Sequence, residues 1–220
     1  MIISTDKKIA VFMVPKTGSN TLRLAFKSSG LPLKLCDDSH YDYGTLKHLV
    51  DDNPLDYRCF GFVRDPLSRC ISTLNFLRRG RQGCKFIHAM YGNEYPVSCA
   101  SRAPYSEWDD ERKALVDRVP MIEVFRRMKW FFERNIYGTS HKIFLDGPVE
   151  LLNFHDYNNE LAKLFTIFGV EDPKTIPVPH VNGSLTIPEF DYLSPQEEAE
   201  IRDYFSEDYD FLASKGIRFS

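Results

Sequence analysis

One stretch near the start of the chain, residues 11–22, constrains the fold more than any other. An apolar run rich in β-forming residues meets Pro15, then a short polar turn that contains Gly18, and then a segment with helical periodicity. This order predicts a strand, a loop and a helix. The first N–H groups of such a helix have no partner within it, and the helix dipole makes that end positive. The stretch therefore predicts a binding site for a phosphate or a sulfate group.

The side chains of this predicted loop suit an anionic ligand. Lys16 supplies a mobile positive charge, and Gly18 lets the backbone approach an anion without a Cβ in the way. Short polar side chains that can donate hydrogen bonds to oxyanions are those of Thr17, Ser19, Asn20 and Thr21. A structural alternative is that Thr17 or Ser19 simply caps the helix. Because the lysine precedes the glycine, the loop lacks the Walker spacing, which argues against an ordinary ATPase or GTPase.

A second candidate anion site follows the apolar run at residues 57–63, which is typical of a strand covered on both faces. Arg64 lies at the end of this strand, and Pro66 begins a predicted helix that carries Ser72 about two turns later. A guanidinium with a nearby hydroxyl makes a good clamp for a second phosphate. The alternative is an ion pair between Arg64 and Asp65, with Ser72 on the helix surface.

Hydrophobic periodicity and turn residues predict alternating strands and helices along the chain. The predicted strands span residues 8–14, 33–36, 57–63, 142–145 and 149–154. The predicted helices span residues 19–29, 45–50, 66–77, 120–135, 156–168 and 204–212, with a further helix opened by Ser194. Residues 37–43 follow the second strand, at the carboxyl edge where open α/β sheets bind ligands. A compact polar loop at residues 180–184 is placed to reach over such a ligand.

Size, charge and cysteine content narrow the possibilities. The 220 residues suit one domain, residues 1–220, with an insertion or lid at about residues 79–119, where glycines and prolines interrupt the pattern. A net charge of −3 predicts no general attraction to nucleic acid. The chain shows no 18-residue apolar run and no signal peptide, so no membrane partner is expected. Five cysteines without a C-x-x-C pair predict reduced thiols in a cytoplasmic protein. Cys36, Cys59 and Cys70 are predicted to lie in the core. The alternative is that the chain is a trimmed lumenal domain.

Three separated motifs together carry a family resemblance. They are Val14-Pro15-Lys16-Thr17-Gly18-Ser19-Asn20-Thr21-Leu22, then Phe62-Val63-Arg64-Asp65-Pro66 with Ser72 eight residues after Arg64, and finally residues 179–184 followed by 193–209. The first resembles the 5′-phosphosulfate loop of sulfotransferases that use 3′-phosphoadenosine 5′-phosphosulfate (PAPS), and the second resembles their 3′-phosphate motif. The third is similar to the tail of the carbohydrate (heparan and chondroitin type) branch of that family.

The resemblance implies an α/β fold of three-layer, P-loop-like type, with a central, mainly parallel sheet flanked by helices. It implies in-line transfer of the sulfuryl group from PAPS to a hydroxyl of a saccharide or small molecule, which can be anionic, with adenosine 3′,5′-bisphosphate (PAP) as product and no metal. The resemblance also implies which residues contact PAPS, the sulfate donor: Lys16, Thr17, Gly18, Ser19, Asn20, Thr21, Arg64, Ser72, Asn182 and Ser184. Lys16 would also stabilise the bridging oxygen, and His40 would be the general base, with His48 as the alternative.

Two other functions stay open from the sequence. A nucleotide or small-molecule kinase of P-loop descent would share the strand–loop–helix anion site, although the Walker spacing is missing. A non-catalytic module would keep the fold and bind a nucleotide without transferring a group, although Lys16, Arg64 and His40 are all present. Binding of PAP without Mg²⁺ would separate the sulfotransferase from the kinase.

Overall fold

The computed structural model describes residues 1–36, 40–79, 107–134, 140–179 and 193–219, except for the side chain of residue 79. Most of the predicted insertion (79–119) and the predicted polar loop (180–184) lie outside these ranges. The donor contacts assigned to Asn182 and Ser184 therefore also lie outside the described residues. No helix within the described ranges is long and apolar enough to cross a lipid bilayer.

The fold is built on a mixed five-stranded sheet. Its strands are β1 (Ile2–Ser4), β2 (Ile9–Phe12), β3 (Lys34–Leu35), β4 (Arg58–Val63) and β5 (Val149–Asn153). Their spatial order is β3-β1-β2-β4-β5. Strand β4 pairs in parallel with β2 and with β5, whereas β1 is antiparallel to both of its neighbours. The predicted α/β class is confirmed, and the sheet combines parallel with antiparallel pairings.

The helices complete the α/β pattern that the periodicity predicted. They are α1 (Ser19–Ser28), α2 (Pro66–Arg79), α3 (Asp110–Asp117), α4 (Met121–Arg134), α5 (His141–Leu145), α6 (Tyr157–Ile167), α7 (Pro195–Tyr204) and α8 (Ser206–Ser214). A 3-10 helix spans Tyr43–His48 in place of the predicted helix at 45–50. Helix α7 begins with the capping box that Ser194 forms with Glu197.

The prediction of a strand at residues 142–145 is wrong, because these residues belong to α5. So short an apolar run fits a helix as well as a strand. Ser140 caps the helix, because its side chain accepts a hydrogen bond from the Lys142 N–H at 3.1 Å. Strand β1 was not predicted, since its three residues are too few to show a periodicity.

The chain divides into two compact units. The first comprises Met1–Asp65, Ser140–Gly183 and Glu207–Ser220, and the second comprises Pro66–Thr139 and Ser184–Ser206. The first unit holds the whole sheet together with α1, α5 and α6, and the second holds α2, α3, α4 and α7. The organisation of residues 1–220 as one domain with an insertion stays a prediction.

Apolar side chains cover both faces of the sheet in the first unit. Because successive residues of a strand point to opposite faces, Phe12 and Val63 belong to one apolar cluster and Val11 and Phe62 to the other. Helices α5 and α8 add buried side chains to the first cluster, and α1 and α6 add theirs to the second. The prediction that the strand within residues 57–63 is covered on both faces is therefore confirmed.

The cysteines Cys36, Cys59 and Cys70 are buried free thiols. Burial raises the pKa of the Cys59 thiol to about 11 and also raises the pKa of the Cys70 thiol. Both thiols are therefore uncharged at neutral pH, and they fill core space as small apolar groups. The prediction that these three cysteines lie in the core is confirmed.

Four of the five strands end at the same edge of the sheet. Strands β2, β4 and β5 are parallel to one another, and β3 runs in their direction because β2 and β3 are both antiparallel to β1. The predicted anion loop leaves this edge after β2, Arg64 leaves it after β4, and the segment towards His40 leaves it after β3. The fold therefore gathers the main predicted site residues at one edge.

Candidate functional site

The loop between β2 and α1 is held in an unusual backbone conformation. Lys16 (φ 66°) and Gly18 (φ 78°) both lie in the left-handed region. That region is accessible to glycine at little cost but strains a lysine. Between them, Thr17 folds back on the end of β2, because its hydroxyl and its N–H both donate to the Val14 carbonyl, at 2.8 and 3.4 Å. The loop is therefore fixed by its own backbone geometry.

Within the described part of the chain, the N-terminus of α1 has no side-chain cap. Gly18 occupies the N-cap position, so the alternative that Thr17 or Ser19 caps the helix is wrong. The Leu22 N–H donates to the Gly18 carbonyl at 2.9 Å and makes the first hydrogen bond of the helix. Among the described residues, no acceptor is found for the N–H groups at positions 19–21. These donors, at the positive end of the helix dipole, can bind an anion.

An aromatic pair that the sequence did not indicate braces this loop. The hydroxyl of Tyr157, at the start of α6, donates to the Gly18 carbonyl at 3.1 Å. The Tyr157 ring also packs on Phe62 of β4, with 4.8 Å between ring centroids, and on Phe154, with 5.4 Å. A Cβ at position 18 would lie 2.8 Å from the Tyr157 ring and 3.1 Å from the Phe154 ring. Glycine is therefore required at position 18 for space as well as for φ.

Arg64, at the tip of β4, contacts Lys16 in the loop that follows the neighbouring strand β2. The Arg64 guanidinium donates through Nη1 to the Lys16 carbonyl at 3.3 Å. It also lies over the Phe154 ring, 4.9 Å from the centroid. Burial, together with the positive charge of Arg64, lowers the pKa of the Lys16 ammonium to about 8. The two side chains repel each other electrostatically, and an anion bound beside them would relieve that repulsion.

His40 lies at the same edge as this pair of cations. Its Nδ1 is 2.6 Å from the carbonyl oxygen of Met13, one residue beyond β2. A carbonyl only accepts, so Nδ1 carries the hydrogen and Nε2 carries the lone pair when the ring is neutral. This tautomer is the one that a general base at Nε2 requires. His48, the alternative base, is exposed at the end of the 3-10 helix.

The other residues predicted to contact PAPS differ in burial and in whether their hydroxyl groups are already hydrogen-bonded. Thr17 is buried and its hydroxyl hydrogen is directed at Val14, so its contribution is to shape the loop. Ser19 and Thr21 are half-buried and Asn20 is exposed at the first turn of α1. Ser72 is half-buried in α2, which belongs to the second unit, so its pairing with Arg64 stays a prediction.

Comparisons of the chain with protein-family models, with curated proteins and with solved structures found no match. Within the described ranges, no group of three or more His, Cys, Asp or Glu side chains is arranged to hold a metal ion. A function therefore has to be inferred from the side chains and backbone groups of the site.

Proposed function

We propose that this protein is a PAPS-dependent sulfotransferase. One observation supports this most strongly: Arg64, at the tip of β4, contacts the backbone of Lys16 in the loop that joins the parallel neighbour β2 to the N-terminus of α1. A nucleotide with one anionic group at its 5′ position and a second at its 3′ position can use both cations at once. The motif resemblance in the sequence favours the same nucleotide.

In this proposal, the backbone N–H groups at residues 18–21 and the Lys16 ammonium hold the 5′-phosphosulfate, and Arg64 holds the 3′-phosphate. The nucleotide contacts that the motif resemblance implies for Ser72, Asn182 and Ser184 stay predictions. Little covalent work then falls to the protein, since positioning and charge stabilisation dominate transfers of this kind. Lys16 is the group that stabilises negative charge as it builds on the bridging oxygen.

His40 is the proposed general base. Its Nε2 takes the proton of the acceptor hydroxyl while that oxygen attacks sulfur and the bond from sulfur to the bridging oxygen breaks. The products are the sulfated acceptor, PAP and one proton held on the imidazole. The hydrogen bond from Nδ1 to the Met13 carbonyl supports this role, because it orients the ring and stabilises the imidazolium that forms.

We further propose that the acceptor is a saccharide or a small molecule and that the fold is the three-layer, P-loop-like type. The helices packed on both faces of the sheet and the parallel strands β2, β4 and β5 favour that fold. A cytoplasmic location is also proposed, which the free thiols of Cys36, Cys59 and Cys70 favour.

The test is transfer of labelled sulfate from PAPS to a panel of hydroxyl acceptors, combined with calorimetric binding of PAP in the absence of Mg²⁺. We expect tight binding of PAP and transfer to at least one acceptor. Lys16→Ala should abolish transfer, whereas Lys27→Ala, which removes an exposed lysine from the far end of α1, should not change it. Binding of PAP only with Mg²⁺ would favour the kinase, and wild-type turnover by Lys16→Ala would remove Lys16 from the mechanism.

A further inference from the structure

A buried histidine–aspartate pair contacts the backbone of Arg64. His141, the first residue of α5, is 0% exposed, and Asp208 of α8 is 2% exposed. The imidazole Nδ1 lies 2.7 Å from Asp208 Oδ2, and the backbone N–H of His141 donates to Asp208 Oδ1, also at 2.7 Å. The Ser140 hydroxyl donates to the same oxygen. Burying a carboxylate is costly unless it is hydrogen-bonded in this way.

The other nitrogen of the ring contacts the backbone of Arg64. The Arg64 N–H donates to His141 Nε2 at 3.3 Å. Because a backbone N–H only donates, Nε2 carries the lone pair, and Nδ1 carries the hydrogen that it donates to Asp208. Asp208 thus fixes the tautomer that lets His141 accept from Arg64.

The residue after Asp208 makes a parallel connection. The Tyr209 hydroxyl donates to Asp65 Oδ1 at 2.8 Å. Two consecutive residues of α8 therefore contact two consecutive residues after β4. Asp208 is linked to Arg64 through the His141 imidazole, and Tyr209 is bonded directly to Asp65. All of these contacts lie within the first unit.

We propose that His141, Asp208 and Tyr209 are positioning residues for Arg64 in the nucleotide site. They fix the backbone from which the guanidinium extends over Phe154 to the Lys16 carbonyl. In the proposed function, this guanidinium binds the 3′-phosphate. Ordering an arginine side chain costs considerable rotamer entropy. A backbone that is already fixed at Arg64 therefore reduces the entropy that is lost when the nucleotide binds. This inference rests on the proposed function, because it assigns the 3′-phosphate to Arg64.

Two substitutions at position 141 test separately the two hydrogen bonds that the His141 imidazole makes. His141→Gln places an amide oxygen near the position of Nε2, so it can still accept from the Arg64 N–H. His141→Asn places an amide nitrogen near the position of Nδ1, so it can still donate to Asp208 but cannot reach Arg64. Binding of PAP and of adenosine 5′-monophosphate (AMP), which lacks the 3′-phosphate, is measured by calorimetry for each variant and for the wild type.

We expect the wild type to prefer PAP to AMP. His141→Asn should lose roughly tenfold of that preference, about what one hydrogen bond contributes, while its affinity for AMP is unchanged. His141→Gln should keep most of the preference. Should His141→Asn fail to fold, Tyr209→Phe serves instead, because it removes only the hydroxyl that contacts Asp65 and should also lower the preference for PAP.

The outcomes distinguish the inference from the function on which it rests. An equal loss of affinity for PAP and AMP in His141→Asn, or an equal loss of preference in His141→Asn and His141→Gln, would overturn the positioning role and leave the sulfotransferase standing. An unchanged preference in Tyr209→Phe would overturn the role of that residue. A wild-type protein that does not bind PAP would overturn the proposed function, and the positioning role with it.

Discussion

Replacement of Gly18 by alanine tests the loop on which the candidate site is built. Gly18 adopts φ 78°, and the α-hydrogen that a Cβ would replace faces two aromatic rings. Alanine in the left-handed region costs about 1–2 kcal/mol. The new methyl group would also lie 2.8 Å from Tyr157 Cε2 and 3.1 Å from Phe154 Cε2, closer than packed carbon atoms allow. Such overpacking typically costs about 1–3 kcal/mol.

The sum predicts that Gly18→Ala lowers the free energy of unfolding by about 2–5 kcal/mol. Gly30 offers a matched control, because it also has a positive φ, of 69°, but a Cβ there would meet no atom of the described residues within 4 Å. Gly30→Ala should therefore show only the conformational cost. Both variants lose the same unfolded-state entropy of glycine, so that effect cancels in the comparison.

Thermal unfolding measures the difference. For a chain of this size, each kcal/mol shifts Tm by about 2–4 °C, so Gly18→Ala should unfold at least a few degrees below Gly30→Ala. Tyr157→Leu, which replaces the ring by a smaller branched side chain, should bring the Tm values of the two glycine variants closer together. Equal Tm values for Gly18→Ala and Gly30→Ala would refute the claim that the aromatic pair confines the loop.

Two further predictions concern the charge and the base of the site. The affinity for PAP should fall as the pH rises through about 8, the pKa of Lys16, because only the ammonium form attracts the phosphate. The Lys16→Arg variant should lack this pH dependence. Calorimetry at a series of pH values checks both expectations. His40→Ala should lower turnover by roughly 100-fold or more while its affinity for PAP is unchanged, whereas His48→Ala should behave like the wild type in the same transfer assay. A wild-type profile that is flat across pH 8 would contradict the charge argument, and full turnover by His40→Ala would place the base elsewhere.

The sequence could predict the parts of the site that depend on neighbouring residues. The apolar run, the proline, the polar turn and the helical periodicity all lie within residues 11–22, so the strand, the loop and α1 could be read in order. Arg64 could likewise be placed at the tip of a strand, because β4 is a continuous apolar run that ends immediately before it. The sequence could also predict that the loop and Arg64 lie at the same edge, since parallel strands end on the same side of a sheet.

What the sequence did not reveal depends on contacts between distant residues. The hydroxyl of Tyr157 and the carbonyl of Gly18 lie 139 positions apart, and His141 and Asp208 lie 67 positions apart. No local pattern encodes such pairs. The error at residues 142–145 has a different cause, because a run of that length satisfies two periodicities, and the cap from Ser140 decides between them.

The backbone of Lys16 has a consequence for how this protein can evolve. Its left-handed φ of 66° would be relaxed by glycine or asparagine, and its folded pKa of about 8 lies below the 10.5 of an ordinary lysine. The folded state therefore holds the proton less tightly than the unfolded chain does, so a charged Lys16 lowers stability at neutral pH, and this cost is relieved as the pH rises from about 8 towards 10.5. Conformation and charge thus both oppose the lysine, and selection for robustness alone would replace it. A lineage that keeps Lys16 therefore keeps a residue that lowers thermal tolerance at this position.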